Sequence, residues 1–312
     1  MKTMYLVSLG CPKNLVDSEV MLAALERDGY IAVDDPREAE LLLVNTCGFI
    51  RPAVEEAVDT ILELARYKAE APEKRLVATG CMVQRYGKEL AVELPEVDLF
   101  IGLDDFPEIT RLLRSLSARQ TVVTHPGAAV LLLDSTVPRR VSTPPHRSYL
   151  KITEGCDNRC TYCMIPSIRG ALRSRTVEDL VAEAQGLERA GVRELSLIAQ
   201  DLTAYGRDLG RADALVDLLS HLLDHTTIPW FRLLYLYPSS VSDALLALMA
   251  SRPRLLPYLD IPFQHVSDPV LQRMHRHYGV TELDDLIVRI RRYLPNCAIR
   301  TTMMVGFPGE TE

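Results

Sequence analysis

Three stretches near the amino terminus are almost continuously apolar: MYLVSLG at 4–10, LLLVNT at 41–46 and RLVATG at 75–80. Runs of this kind mark strands buried on both faces. Between them the period changes. From about Asp17 to Asp28, Val20, Met21, Ala24 and Leu25 share one helical face. Val54, Val58, Ile61, Leu62 and Ala65 do so from about Pro52 to Tyr67, and a third helix follows Met82. Strand–helix–strand alternation predicts a parallel sheet with right-handed crossovers.

Residues 134–147 (DSTVPRRVSTPPHR) break the rhythm with three prolines and no period, as a linker does. The β/α pattern then resumes, with strands expected at 148–153, 194–199, 231–236, 258–262 and 298–305 and helices such as 176–190. The fold class is therefore α/β. An N-terminal open parallel-sheet domain (1–133) is followed by a linker (134–147) and a second domain (148–312). Five β/α units in series predict a barrel or partial barrel, with a doubly wound open sheet as the alternative. The last unit lacks its helix and the chain stops at VGFPGETE, so the barrel is expected to be incomplete at its carboxyl end.

Composition narrows the class. Of 312 residues, 47% are hydrophobic and 25% charged, enough for a sizeable core. No run of about 18 apolar residues occurs, so no membrane partner is expected. The first residues are weak as a signal peptide. That places the chain in the cytoplasm, where seven cysteines point to metal or redox chemistry rather than disulfides. The net charge of −7 lies wholly in residues 1–133, with 14 Lys+Arg against 21 Asp+Glu. An acidic front half argues against a nucleic-acid footprint there, and for a basic protein partner or for ordinary solubility.

Cys11, Cys47 and Cys81 each follow a predicted strand, in the contexts SLGC, VNTC and ATGC, spaced by 36 and 34 residues. In an open α/β sheet the loops at the carboxyl ends of strands form the site, so the three thiols should converge. Three thiolates suit a [4Fe–4S] cluster with one iron open. The neighbouring Gly10, Gly48 and Gly80 would let backbone approach such a cofactor. Three separately buried thiols, or a zinc site one ligand short, are the other readings.

The strongest local signal is EGCDNRCTYCMIP, which sets Cys156, Cys160 and Cys163 within eight residues after a predicted strand. They can wrap one cluster at little loop-closure cost. A zinc knuckle would ask for further cysteines or histidines, and no histidine lies between Ser148 and Arg211.

The C-x3-C-x2-C run with Tyr162 before its last cysteine resembles the radical S-adenosylmethionine (SAM) superfamily. The upstream trio adds a likeness to its methylthiotransferase family, carried by SLGCPKNLVDSE (8–19), VNTCGFI (44–50), ATGC (78–81), EGCDNRCTYCMIPSIRG (154–170), SR (174–175), AQD (199–201), YPSS (237–240), PFQH (262–265) and VGFPGETE (305–312). SLGCPKN and MIPSIRG are most similar to the branch that modifies an aspartate of protein twelve of the small ribosomal subunit. The tRNA-modifying branch usually carries TxGCQMN instead. Family members continue into a further barrel strand and a small TRAM domain, neither of which this sequence contains.

The resemblance implies two [4Fe–4S] clusters and SAM. One cluster sits on Cys156, Cys160 and Cys163 and cleaves SAM to a 5′-deoxyadenosyl radical. The auxiliary cluster sits on Cys11, Cys47 and Cys81 and brings sulfur. The implied product is a β-methylthio-aspartate, and the implied partners are a ribosomal protein and an electron donor. Nucleic acid enters only under the tRNA alternative; a non-catalytic two-cluster protein is the alternative from another class. By resemblance, Tyr162, Glu194, Gln200, Arg232, Gln264 and Val305 look like SAM-contacting positions. Arg169, Arg173 and Arg175 are candidates for a carboxylate of the substrate or of SAM itself, with a solvated loop as the other reading. His265, His275 and His277 read as ordinary, Cys297 as a buried thiol, and Trp230 with the tyrosines near 235–237 as barrel core.

Overall fold

The computed structural model describes residues 2–116, 120–123, 127–211 and 213–311. The chain divides into two compact units, one of Met1–Ser142 with Met164–Gly170, the other of Thr143–Cys163 with Ala171–Glu312. Among the described residues no helix is long and apolar enough to cross a membrane.

The first unit is built on strands β1 (Lys2–Ser8), β2 (Tyr30–Ala32), β3 (Leu41–Thr46), β4 (Arg75–Gly80), β5 (Leu99–Ile101) and β6 (Thr121–Val123). Its helices are α1 (Pro12–Arg27), α2 (Arg51–Glu70), α3 (Cys81–Glu93), α4 (Ile109–Ser115) and α5 (Ile165–Arg169). The strands lie in the order β2-β1-β3-β4-β5-β6, all parallel. The order reverses at β1, so the crevice between the carboxyl ends of β1 and β3 is the topological switch point. Every residue of β3 is buried, as its apolar run requires. Ala57, Ile61, Leu76 and Phe100 are buried in one cluster, and Met4, Met21, Leu43 and Leu99 in another.

Two boundaries differ from the sequence expectation. Residues 134–142, read as linker, belong to the first unit. Glu19, only 1% exposed, holds them there. Its carboxylate accepts from the Ser142 backbone N–H (2.8 Å) and hydroxyl (3.0 Å) and pairs with Arg139 (3.6 Å). Its carbonyl accepts from the Arg140 N–H, and Arg140 also pairs with Glu26. Segment 164–170, expected in the barrel domain, also belongs to the first unit. Ile168 packs with Cys81, Leu103 and Ala129, and its carbonyl accepts from the Ala129 N–H.

The second unit carries β7 (Arg147–Lys151), the short antiparallel pair β8 (Thr153–Glu154) and β9 (Arg173–Ser174), then β10 (Glu194–Ile198), β11 (Trp230–Leu233), β12 (Leu255–Asp260) and β13 (Ala298–Arg300). Helices α6 (Val177–Arg189), α7 (Ala214–His225), α8 (Asp243–Ser251), α9 (Asp268–Arg273) and α10 (Val280–Tyr293) connect them. The five main strands pair in parallel in strict chain order, β7-β10-β11-β12-β13. A doubly wound sheet would reverse; this one advances in one direction, as a barrel wall does.

Register assigns its two faces. Leu195, Leu197, Phe231, Leu233 and Leu259 share the apolar face and are buried. The other face carries Tyr149, Lys151, Ser196, Arg232, Tyr258, Asp260 and Arg300. A barrel turns this second face inward, so its interior is polar rather than filled with branched aliphatics. Trp230, expected in the core, is 52% exposed because it opens β11 at the strand's amino end.

Candidate metal centres

In the first unit the three cysteines stand where the sheet ends. Cys11 follows β1 as the N-cap of α1, Cys47 follows β3, and Cys81 opens α3 directly after β4. Two of the thiols therefore sit at helix amino termini, which favour a thiolate. The loops interlock through glycine. A Cβ on Gly10 would lie 2.8 Å from Cys47 Cβ, and one on Gly48 would lie 2.7 Å from Met82 Cα. The glycines expected to admit a cofactor thus let the three cysteine-bearing loops approach one another.

A buried polar network underlies the trio. Asn14 Nδ2 donates to the Thr46 carbonyl (2.9 Å), and Asn45 Nδ2 donates to the Asn14 carbonyl and the Ser18 hydroxyl (both 2.8 Å). Asn14 Oδ1 accepts from the Cys81 thiol (3.5 Å) and from Arg169 Nη2 (2.7 Å). Arg169 Nη2 also meets Asp17 Oδ2 at 2.8 Å.

The thiols sense one another and Arg169. Burial pushes the Cys81 thiol up to about 11, opposed by the charge of Arg169. Burial also raises Cys47, against the Phe49 N–H. For Cys11, burial raises, but the charges of Lys13 and Arg169 and the N–H groups of Asn14 and Lys13 win and hold it below its ordinary value. Arg169 was expected to meet a substrate carboxylate; the carboxylate it meets is Asp17, in its own unit. Asn14, Asp17 and Ser18 escaped the sequence reading, although their i, i+3, i+4 spacing puts them on one helical face.

In the second unit Cys156, Cys160 and Cys163 lie on the loop after β8. Cys156 and Cys160 are buried, and the Cys163 N–H closes a turn onto the Cys160 carbonyl (3.0 Å). Burial pushes Cys156 up to about 12, with smaller upward contributions from Asp201, Cys163 and Cys160. The loop is braced from several sides. Asp157 accepts from the Leu172 N–H (2.9 Å), Asn158 donates to Asp201 (2.7 Å), and Thr161 bonds to the carbonyls of Met274 and Arg273.

Among the described residues no three His, Cys, Asp or Glu side chains gather tightly enough to hold a single metal ion. Cys81 feels the charges of Cys11 and Cys47, and Cys156 those of Cys163 and Cys160, so each trio shares one neighbourhood, a thiol set of the kind that holds an iron–sulfur cluster.

The remaining candidates divide. Gln200, just past β10, has both amide atoms buried and no hydrogen-bond partner among the described residues, and the Thr153 hydroxyl is likewise unpartnered. Such orphans at the carboxyl end of a barrel strand fit a bound polar cofactor. Gln264 follows β12 with φ +69 and bridges Met303. Tyr162 meets Phe307 edge-on and lies 3.5 Å from Arg276.

Glu194, expected as a SAM-contacting position, is the first residue of β10, away from the carboxyl end where a barrel keeps its site. It pairs with Arg232 (2.6 Å), which also stacks on Tyr258, so these two satisfy each other. Val305, expected as a SAM-contacting position, is 84% exposed. Arg175 is occupied by Asp179 and Glu183, each at 2.6 Å, and by the Lys151 carbonyl, so its expected substrate role does not fit. Arg173 donates to the Ala171 carbonyl. Cys297 is buried, as expected. Arg276, beside the second trio, was not singled out in sequence.

Residues 3–102 match the uncharacterized protein family UPF0004, and residues 150–312 match the radical SAM superfamily. The chain is 56% identical over 310 residues to the ribosomal protein uS12 methylthiotransferase RimO of Desulfotalea psychrophila, covering 99% of this chain and 69% of that protein. It is 48% identical over 307 residues to the protein of the same name from Geobacter sulfurreducens, covering 98% and 69%. Among solved structures it is similar to the radical SAM methyltransferase TsrM of Kitasatospora setae, with TM-score 0.68, 17% identity, and coverage of 100% of this chain and 71% of that one. It is also similar to the cobalamin-dependent SAM radical enzyme OxsB, with TM-score 0.65, 12% identity, and coverage of 97% and 49%. At those identities the two structures speak for the fold.

Proposed function

We propose that this chain, which belongs to the radical SAM methylthiotransferase family, methylthiolates ribosomal protein uS12 at the β-carbon of an aspartate. The observation that carries the reading is 56% identity across 99% of the chain to a relative named for that substrate. In support, one cysteine trio follows three parallel strands of the first unit and the other lies on the loop after β8 in the second.

Cys156, Cys160 and Cys163 would hold one [4Fe–4S] cluster with an iron open to SAM, and Cys11, Cys47 and Cys81 would hold the auxiliary one. When bound, the first cluster supplies the electron that cleaves SAM, and the auxiliary cluster supplies a landing point for sulfur. The chain's own residues do the rest. Asp157, Asn158 and Thr161 fix the loop of the second-unit trio. Gln200 offers an unspent donor and acceptor to the methionyl or ribose groups of SAM. Tyr162 and Gln264 complete the proposed SAM contacts. Asn14 and Arg169 hold Cys81, and Lys13 with the start of α1 favours the Cys11 thiolate. An electron donor is the further partner required.

The test is direct. The anaerobically reconstituted protein is incubated with SAM, a reductant and either uS12 or tRNA, and both are examined by mass spectrometry. Gain of one methylthio group on a uS12 aspartate is expected, with release of 5′-deoxyadenosine. Label on tRNA alone would overturn the substrate, and absence of SAM cleavage would overturn the activity.

A further inference from the structure

Beside the second trio, one guanidinium is enclosed by aromatic rings. Arg276 Nη1 lies 3.5 Å from Cys160 Sγ and 3.5 Å from the Tyr162 hydroxyl. Its Nε donates to the Tyr278 hydroxyl (2.7 Å), and its Nη2 donates to the Pro262 carbonyl (2.9 Å). Its plane stacks over Tyr237 at 4.2 Å and sits 5.0 Å from the Tyr278 ring centroid. The rings are themselves packed edge-on, 5.5 Å apart, and the Tyr278 hydroxyl is anchored on the Phe263 carbonyl. Arg276 is thus held from the motif loop, from the stretch after β11 and from the segment that follows α9.

The set lacks a carboxylate. Among the described residues, the polar atoms that meet this guanidinium are two phenol hydroxyls, one carbonyl and one thiol. A positive charge withdrawn from water ordinarily has a negative partner, and the cost of withdrawing it is high without one. Arg175 shows the ordinary solution in the same unit, with two carboxylates at 2.6 Å. The negative charge that Arg276 lacks would come from the thiolates of the trio it touches.

We propose that Arg276 is a positioning residue that serves as the counter-charge and sulfur-directed hydrogen-bond donor of the Cys156/Cys160/Cys163 cluster, and so sets its reduction potential. The inference rests on the cluster reading above and goes beyond it by naming what tunes the cluster. A cluster bound by three thiolates gains one further negative charge when it accepts an electron from a low-potential donor. A fixed guanidinium hydrogen-bonded to a ligand sulfur stabilises that reduced form and raises the potential. The tyrosine cage fixes the guanidinium plane and keeps water from screening it. The long side chain spans from a different element to the ligand loop, so nothing in local sequence marks the role.

The experiment uses the full chain carrying Cys11→Ala, Cys47→Ala and Cys81→Ala, which leaves one cluster to observe. Iron and sulfide are counted first, then the potential is measured by EPR-monitored redox titration without SAM. Arg276→Gln is expected to keep its iron and shift the potential to more negative values, while Arg276→Lys retains part of the difference. An unchanged potential in Arg276→Gln overturns the proposal, even if SAM affinity falls. If Arg276→Gln holds no cluster, pulsed EPR on the native residue decides, using protein grown with isotope-labelled arginine. Coupling of a labelled nitrogen to the reduced cluster is expected, and its absence overturns the proposal. No iron in the parent protein overturns the cluster reading itself, and the role of Arg276 with it.

Discussion

Arg169 and Asp17 lie 2.8 Å apart across 152 positions of sequence, both almost wholly buried, and the arginine belongs to the segment that follows Cys163. The guanidinium also reaches Asn14 and bears on the thiols of Cys11, Cys47 and Cys81. Six residues after the second-unit motif, the chain therefore contributes a charged anchor to the site of the first unit.

Removing one partner should be costly. Arg169→Met leaves the Asp17 carboxylate buried and unpaired, and a loss of roughly 3–5 kcal/mol is expected by chemical denaturation. Replacing both residues, as Arg169→Met with Asp17→Leu, should lose distinctly less. Equal losses for the single and double variants would mean the two residues do not act as a pair.

Gly48→Ala places a methyl group 2.7 Å from Met82 Cα, a backbone atom that cannot rotate away. The Cys47 loop must then shift. Iron is expected to fall from about eight to about four per chain, with the second-unit cluster retained. Full iron content in this variant would show that close packing of the loops is not needed.

Glu19→Ala removes the carboxylate that holds residues 139–142 on the first unit. Faster cleavage in the stretch 134–147 under limited proteolysis is expected, with a stability loss of about 1–3 kcal/mol for the donors left behind. Cleavage at the native rate would mean that other contacts hold this stretch.

Gln200→Leu should weaken SAM binding while leaving stability nearly unchanged, because the native amide makes no hydrogen bond within the described structure. Isothermal titration with SAM on the reconstituted protein reads the first effect and thermal unfolding the second. Native SAM affinity would remove Gln200 from the cofactor site.

Much of this was readable from the chain. β1, β3 and β4 announced themselves as apolar runs, and the three thiols follow from their ends. The strands β2, β5 and β6 have three residues each, too few for any period to show. The start of α1 was missed because its buried face is polar: Asn14, Asp17 and Ser18 face the sheet, where an amphipathic pattern expects hydrophobes. Residues 134–142 look like a linker by composition, and long-range contacts through Glu19, Glu26 and Val137 say otherwise. The roles of Arg169, which was singled out for a different carboxylate, and of Arg276, which was not singled out, are illegible for the same reason, since their partners lie on distant elements. Glu194 opens both the expected strand 194–199 and β10, and it is its pairing with Arg232, shown only by the fold, that occupies it.

The sorting of six cysteines into two independent sites is tested most directly by iron and sulfide counts with EPR on Cys47→Ala and Cys156→Ala, each reconstituted anaerobically. Each variant should hold about four irons and keep only the spectrum that the other has lost. Loss of all iron from either variant, or retention of about eight in both, would contradict the two-site assignment.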